Sequence, residues 1–232
     1  MTSIIQDVKG KIESAYIEAP FDEAKEALEK AKYKIISLEE MAMLRIQEGK
    51  DAYISQYGNC TREGIIYIPK KGKFLTKSSP IMDNAKEATE RHRKGMEFYI
   101  NEEQVKKALE NSVQLSEGII NIHVSEFGNE PITAFAFGKY AKEYGKFLKD
   151  VGADELPIWT SNLESEPFAR QLWFKYLGSW YDLGGGYRDL HDGNRVRGVR
   201  VASAKSASKK YLSIPSRQGL SRARLKRFKK LE

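Results

Sequence analysis

His191, flanked by Asp189 and Asp192, is the nearest thing in this chain to acid–base machinery, because a carboxylate beside an imidazole can orient it for proton transfer. No Ser or Cys nucleophile in a catalytic motif accompanies it, so ligand contact is the expected role. The other histidines point to structure. His92 lies in the charged helical run ERHRK and is expected in solvent, whereas His123 alternates within an apolar strand and is expected in the core. Cys60 is the single cysteine, which excludes an intramolecular disulfide and a cysteine-based zinc site. It reads as an ordinary thiol near the turn Gly58-Asn59. Gly184-Gly185-Gly186 is followed by neither Lys-Ser/Thr nor a helix start, so it is not a phosphate loop. The expectation is therefore a protein that is not an enzyme, with no metal and no cofactor.

His191 belongs to a longer pattern. Two stiff alternating segments, 172–177 and 196–201, flank about eighteen residues rich in Gly, Tyr, Trp, Asp, Arg, His and Asn, roughly three times the usual connection length. A loop that long inside a domain usually has a function. Its composition suits recognition, since Tyr and Trp supply contact area at low entropy cost while Gly, Ser, Asn and Asp supply adaptable hydrogen bonds.

Upstream, the spacing predicts the elements that must hold this loop. Residues 21–32 combine helix formers with acids early and lysines late, which complements the helix dipole. Ser37-Leu38-Glu39-Glu40 is a capping box opening a second helix that ends at Gly49, with Leu38, Met41 and Leu44 on one face and Arg45 at its edge. Residues 64–74 read as a hairpin about Pro69-Lys70-Lys71-Gly72. Further helices are predicted at 84–94, from Asn101 with Gln104 as its capping partner, and at 139–150 with Gly152 after it. Residues 119–124 and 132–137 alternate as strands. The fold class is α+β, with short strands and peripheral helices.

At 232 residues, 41% hydrophobic and 31% charged, the chain can bury a proper core. No apolar run reaches the roughly 18 residues of a membrane helix, and MTSIIQDVKGKIESAY lacks the secretory pattern, so no membrane insertion is expected. Cytoplasmic residence is the expectation, and a virion component would read the same. The net charge of +7 is unevenly placed: residues 165–232 carry 16 Lys and Arg against 5 Asp and Glu, residues 1–164 carry 23 against 27. Beyond Ala202 ten basic residues face one acid.

PFARQLWF (167–174), the loop after Gly178 and RVRGVR (195–200) resemble the C-terminal part of domains with the formylglycine-generating-enzyme type of C-type lectin fold. They are most similar to the variable proteins of diversity-generating retroelements carried by archaea and their viruses. YIPKKGKFLTKSSPIM, EFYINEEQVKKAL and ITAFAFGKYAKEYGKFL extend the resemblance over about 33–202. It implies a lectin-like domain (33–202) whose variable region is about 156–202; the N-terminal helical segment (1–32) and the basic tail (203–232) lie outside the resemblance. It further implies a frame of Trp173, Phe174, Leu177, Gly178, Val196, Gly198 and Val199. Residues rewritten to meet different ligands would lie among Ser161, Asn162, Ser179, Trp180, Tyr181, Asp182, Gly184, Tyr187, Arg188, Leu190, His191, Asp192 and Asn194. The parent enzyme's two-cysteine oxidation is impossible with Cys60 alone. The Glu-Pro-Asn of calcium-dependent sugar binding is absent, and Asn129-Glu130-Pro131 reads as a turn. The partner is then an unknown protein or cell-surface ligand. The alternative is a nucleic-acid-associated protein whose tail neutralises phosphates independently of sequence.

Overall fold

The first thirty residues are not the helical segment expected. β1 (Ile5–Val8) and β2 (Ile12–Glu18) form an antiparallel hairpin ahead of α1 (Phe21–Lys30). Then come β3 (Lys34–Ile35), α2 (Leu38–Glu48), α3 (Tyr53–Gln56), β4 (Asn59–Ile68), β5 (Gly72–Thr76), α4 (Pro80–Asp83), α5 (Ala85–Arg93) and β6 (Phe98–Tyr99). The rest are α6 (Glu102–Leu109), β7 (Ser112–Leu115), β8 (Ile120–His123), α7 (Pro131–Phe137), α8 (Ala141–Asp150), β9 (Glu155–Trp159), β10 (Phe168–Phe174), β11 (Leu183–Gly184) and β12 (Arg195–Val201). This computed structural model describes residues 3–117, 120–177, 182–185 and 190–202. The tail, and of the expected contact residues Ser179, Trp180, Tyr181, Tyr187 and Arg188, lie outside the described residues.

One mixed sheet organises the chain in the order β1-β2-β12-β4-β10-β11-β9-β8, with β5 and β7 branching from β4. β2 pairs over its whole length with β12, from Glu18↔Arg195 to Ile12↔Val201, so the N-terminal hairpin is part of the frame. Charge complementarity adds to that pairing: Arg195 pairs with Glu18, Arg197 with Asp7 at 2.6 Å, and Arg200 with Glu13 at 2.8 Å. The arginines of the RVRGVR run are thereby committed inside the fold.

Period-two alternation sends the residues of β4 to opposite faces. Ile65 and Tyr67 join one core with α2, α7 and α8, while Ile66 and Ile68 join another with α1, α4, α5 and α6. β10 divides likewise, with Phe168, Leu172 and Phe174 in the first core and Ala169 in the second. A strand buried on both faces anchors two layers at once, each fully buried Ile or Phe contributing about 1.5–3 kcal/mol.

The predicted caps form. Glu40 N donates to Ser37 Oγ at 3.1 Å while Ser37 N donates to the Glu40 carboxylate at 3.0 Å. Asn101 and Gln104 make the same reciprocal pair at 2.9 Å. The 132–137 segment, expected as a strand, is α7. Its start signal is the supposed turn itself: the Glu130 carboxylate accepts from Ile132 N at 3.0 Å and Thr133 N at 2.7 Å, with Pro131 in the first turn. A short apolar run carries no periodicity that separates helix from strand, so the cap decides.

Candidate functional site

The connection from β10 to β12 begins under a clamp. Arg45 of α2 is wholly buried and donates to the Lys175 carbonyl at 2.6 Å, the Ile54 carbonyl at 3.2 Å and the Tyr144 hydroxyl at 3.1 Å. Its guanidinium also lies 4.2 Å from the centroid of the Phe174 ring, which stabilises a desolvated cation. These partners are all neutral. Leu177 N then donates to the Ser55 carbonyl at 2.6 Å, tying the loop to α3.

The middle of the connection is pinned too. β11 pairs antiparallel with β10 and parallel with β9, and Gly185 N donates to the Trp159 carbonyl at 2.8 Å. Beneath it, the Tyr67 hydroxyl donates to the Gly185 carbonyl at 2.8 Å and accepts from Ser161 N at 3.2 Å. A Cβ on Gly185 would overlap Ile65 and crowd the Tyr67 hydroxyl, so close backbone approach requires glycine there. Ser161 in turn receives a hydrogen bond from Arg170, which forms a buried bidentate pair with Glu97 at 3.0 and 2.5 Å. Asp182 accepts from Lys175 Nζ at 2.7 Å, while burial pushes its carboxyl above the usual range.

The far end is anchored to the start of α1. Phe21 N donates to the Leu190 carbonyl at 2.8 Å and Ala19 N to the Asn194 carbonyl at 3.3 Å. Arg195, the next residue, lies over three tyrosines, its guanidinium carbon 5.0, 5.1 and 4.4 Å from the ring centroids of Tyr16, Tyr53 and Tyr57.

A solved structure from work on the accommodation of massive sequence variation in Nanoarchaeota by the C-type lectin fold matches this architecture. The TM-score is 0.60 at 18% identity, covering 84% of this chain and 100% of that one. This chain has a C-type lectin fold. No protein-family model matches the sequence, and no curated protein matches it either. At that identity the likeness carries the fold alone.

On the lectin frame the expected contact residues separate into groups. Asp182 and Leu190 are 3% and 4% exposed and Gly184 is buried as well, so these three correct the expectation of a ligand-facing loop. Their burial has a cause: Leu190 packs in the second core, Gly184 sits in β11, and Asp182 bonds Lys175. Ser161 is half-buried with both polar groups turned to Tyr67 and Arg170. Asn162 and Asp192 are exposed, while His191 and Asn194 are half-buried. His191 Nε2 stands 3.6 Å from Asp192 Oδ1.

Three residues outside the loop are also corrected. His92 is buried at 2% exposure, because Ala88, Thr89 and His92 form the inner face of α5. His123 is exposed and its Nδ1 lies 2.6 Å from Ser125 Oγ, since β8 turns Ile120 and Ile122 inward. Cys60 is buried in β4, and burial pushes its thiol up to about 12. Sequence reasoning passed over Tyr53 and Tyr57. Tyr53 opens α3 and Tyr57 follows its end with extended backbone, so no helical spacing signalled their stack.

Proposed function

We propose that this chain is a non-enzymatic, diversified ligand-binding protein whose lectin-type frame presents residues 178–181 and 186–189 to a protein or cell-surface target. The observation supporting the reading is the division of labour along the connection. The pins at Lys175, Leu177, Asp182, Gly185, Leu190 and Asn194 bind the frame through backbone groups or buried side chains. The stretches between them hold Ser179, Trp180, Tyr181, Tyr187 and Arg188, whose residue types have recognition chemistry. Aromatic and arginine side chains supply most of the energy at protein interfaces. No helix among the described residues is long and apolar enough to cross a membrane, and binding at an aqueous surface suits that.

The test is the distribution of variation. In DNA from a population carrying this gene, replacements in the 156–202 coding segment should concentrate at codons 178–181 and 186–189. They should spare Asp182, Gly184, Gly185 and Leu190, and a near-copy of the segment differing at adenines should adjoin a reverse-transcriptase gene. Replacements spread evenly across pins and intervening stretches would refute the reading.

A further inference from the structure

Among the described residues, eight large hydrophobic side chains are exposed, and three of them border this connection: Tyr57, Trp159 and Tyr176, at 41%, 42% and 40%. Their placement follows from the pins. Tyr176 lies between the clamped Lys175 and Leu177, and the bond from Leu177 N to the Ser55 carbonyl sets it beside α3. At the other end of the loop Arg195 reaches the same helix, covering Tyr53 and Tyr57. Both ends of the connection therefore converge on one aromatic stack. Tyr16 and Tyr53 are stacked at 4.8 Å and 15°, and Tyr53 and Tyr57 follow at 4.2 Å. On the opposite flank Trp159 is tied through its carbonyl to Gly185.

We propose that Tyr57, Tyr176 and Trp159 are the constant shoulders of the recognition face, contacting a protein partner whichever residues occupy 178–181 and 186–189. This rests on the binding-face reading above and assigns it fixed contact residues. Three physical facts favour it. The Tyr57 ring is pre-ordered by its stack on Tyr53, so contact through it costs little side-chain entropy. Each presents aromatic surface, and Tyr57 and Tyr176 carry a hydroxyl beside it, the composition of paratopes. Among the described residues, the cations at the two ends of the connection are paired, Arg195 with Glu18 and Lys175 with Asp182, which disfavours a polyanion. A protein surface supplying aliphatic groups and backbone carbonyls fits these features.

The test uses the whole chain as a display scaffold. A library randomised at 179–181, 187 and 188 is selected against lysozyme, and independent binders then receive Tyr57→Ser, Tyr176→Ser or Trp159→Ser singly. Tyr57→Phe and Tyr176→Phe, which keep the rings, and Met96→Ser, at an exposed site in another turn, serve as comparisons, with melting temperatures confirming folding. Most binders should lose about ten-fold or more in affinity with at least one of the three Ser substitutions, the scale of a truncated aromatic hot spot, and little with the comparison variants. Binders that all lose less than about three-fold, or 0.7 kcal/mol, overturn the constant shoulders while leaving the binding face intact. A folded library that yields no binders overturns the binding face and the shoulders together.

Discussion

Glu63→Gln tests whether the central strand β4 contains an acid held against its own charge. Glu63 is 1% exposed in β4, and burial pushes its carboxyl up from 4.5 to about 7. Arg62 at 3.9 Å and the Leu38 amide at 3.0 Å oppose that rise without cancelling it. The protonated form is therefore the one the fold favours. Below pH 4.5 both folded and unfolded chains hold the proton, and the stability of the neutral state is fully present. Between 4.5 and about 7 the unfolded chain releases a proton that the folded chain keeps, so stability falls as pH rises and the loss is complete above about 7. At about 1.4 kcal/mol per pKa unit, the displacement amounts to about 3 kcal/mol. Gln has the same shape, keeps an acceptor for Leu38 N and cannot ionise. Urea unfolding of both proteins from pH 5 to 8.5, followed by tryptophan fluorescence, measures the gap. The stability of the Gln variant relative to the parent should rise by up to about 3 kcal/mol over that range, or roughly 6–12 °C in melting temperature for a chain this size. Parallel pH profiles would refute the assignment. The effect reaches the site because Leu38 opens α2, the helix that carries Arg45.

Arg45→Met removes the clamp on Lys175 and leaves the carbonyls of Ile54 and Lys175 and the Tyr144 hydroxyl without their donor. Unfolding titrations should show a loss of about 2–4 kcal/mol, since each buried acceptor left without its donor costs about 1–3 kcal/mol. Arg45→Lys should restore only part of it, because an ammonium lacks the planar fork; a loss below about 1 kcal/mol for Met would contradict the clamp. Cys60, with its thiol pushed up to about 12, should resist iodoacetamide at pH 8 in the native protein and react once urea unfolds it, since only the thiolate attacks. Rapid labelling of the folded chain would contradict its placement in β4.

Local signals made much of the helical frame legible, because a cap states its position within four residues. Ser37 with Glu40 and Asn101 with Gln104 needed no tertiary context. The N-terminal hairpin was another matter. β2 reads IESAYIE, weakly apolar and mixed with acids, and its burial comes from a strand about 180 residues away whose arginines match those acids. No window on either segment contains that information. His92 and His123 exchanged environments for a related reason: a period tells which residues share a face, and only packing tells which face is inside. The loop's role as a connection of unusual length was visible. Its pins were not, since Asp182 and Gly184 have the same residue types as the neighbouring positions proposed for recognition.

The pins explain how a fold can carry so long a connection. Free loops lose closure entropy and must satisfy every buried backbone group. Here the chain between Lys175 and Arg195 is fixed at its two ends and at β11, so that no stretch between successive anchors exceeds a few residues. The groups that do this are Arg45, Ser55, Tyr67, Trp159, Phe21 and Ala19, and they lie outside the connection itself. Because they act mainly on backbone carbonyls and amides, which every residue type possesses, the anchoring is largely independent of the side chains it supports. Gly185 is an exception fixed by close approach to Ile65 and Tyr67, and Leu190 by its place in the second core. A frame built on backbone bonds can thus hold a connection of varied side chains at nearly constant stability, and it fails first where a side chain is itself a pin.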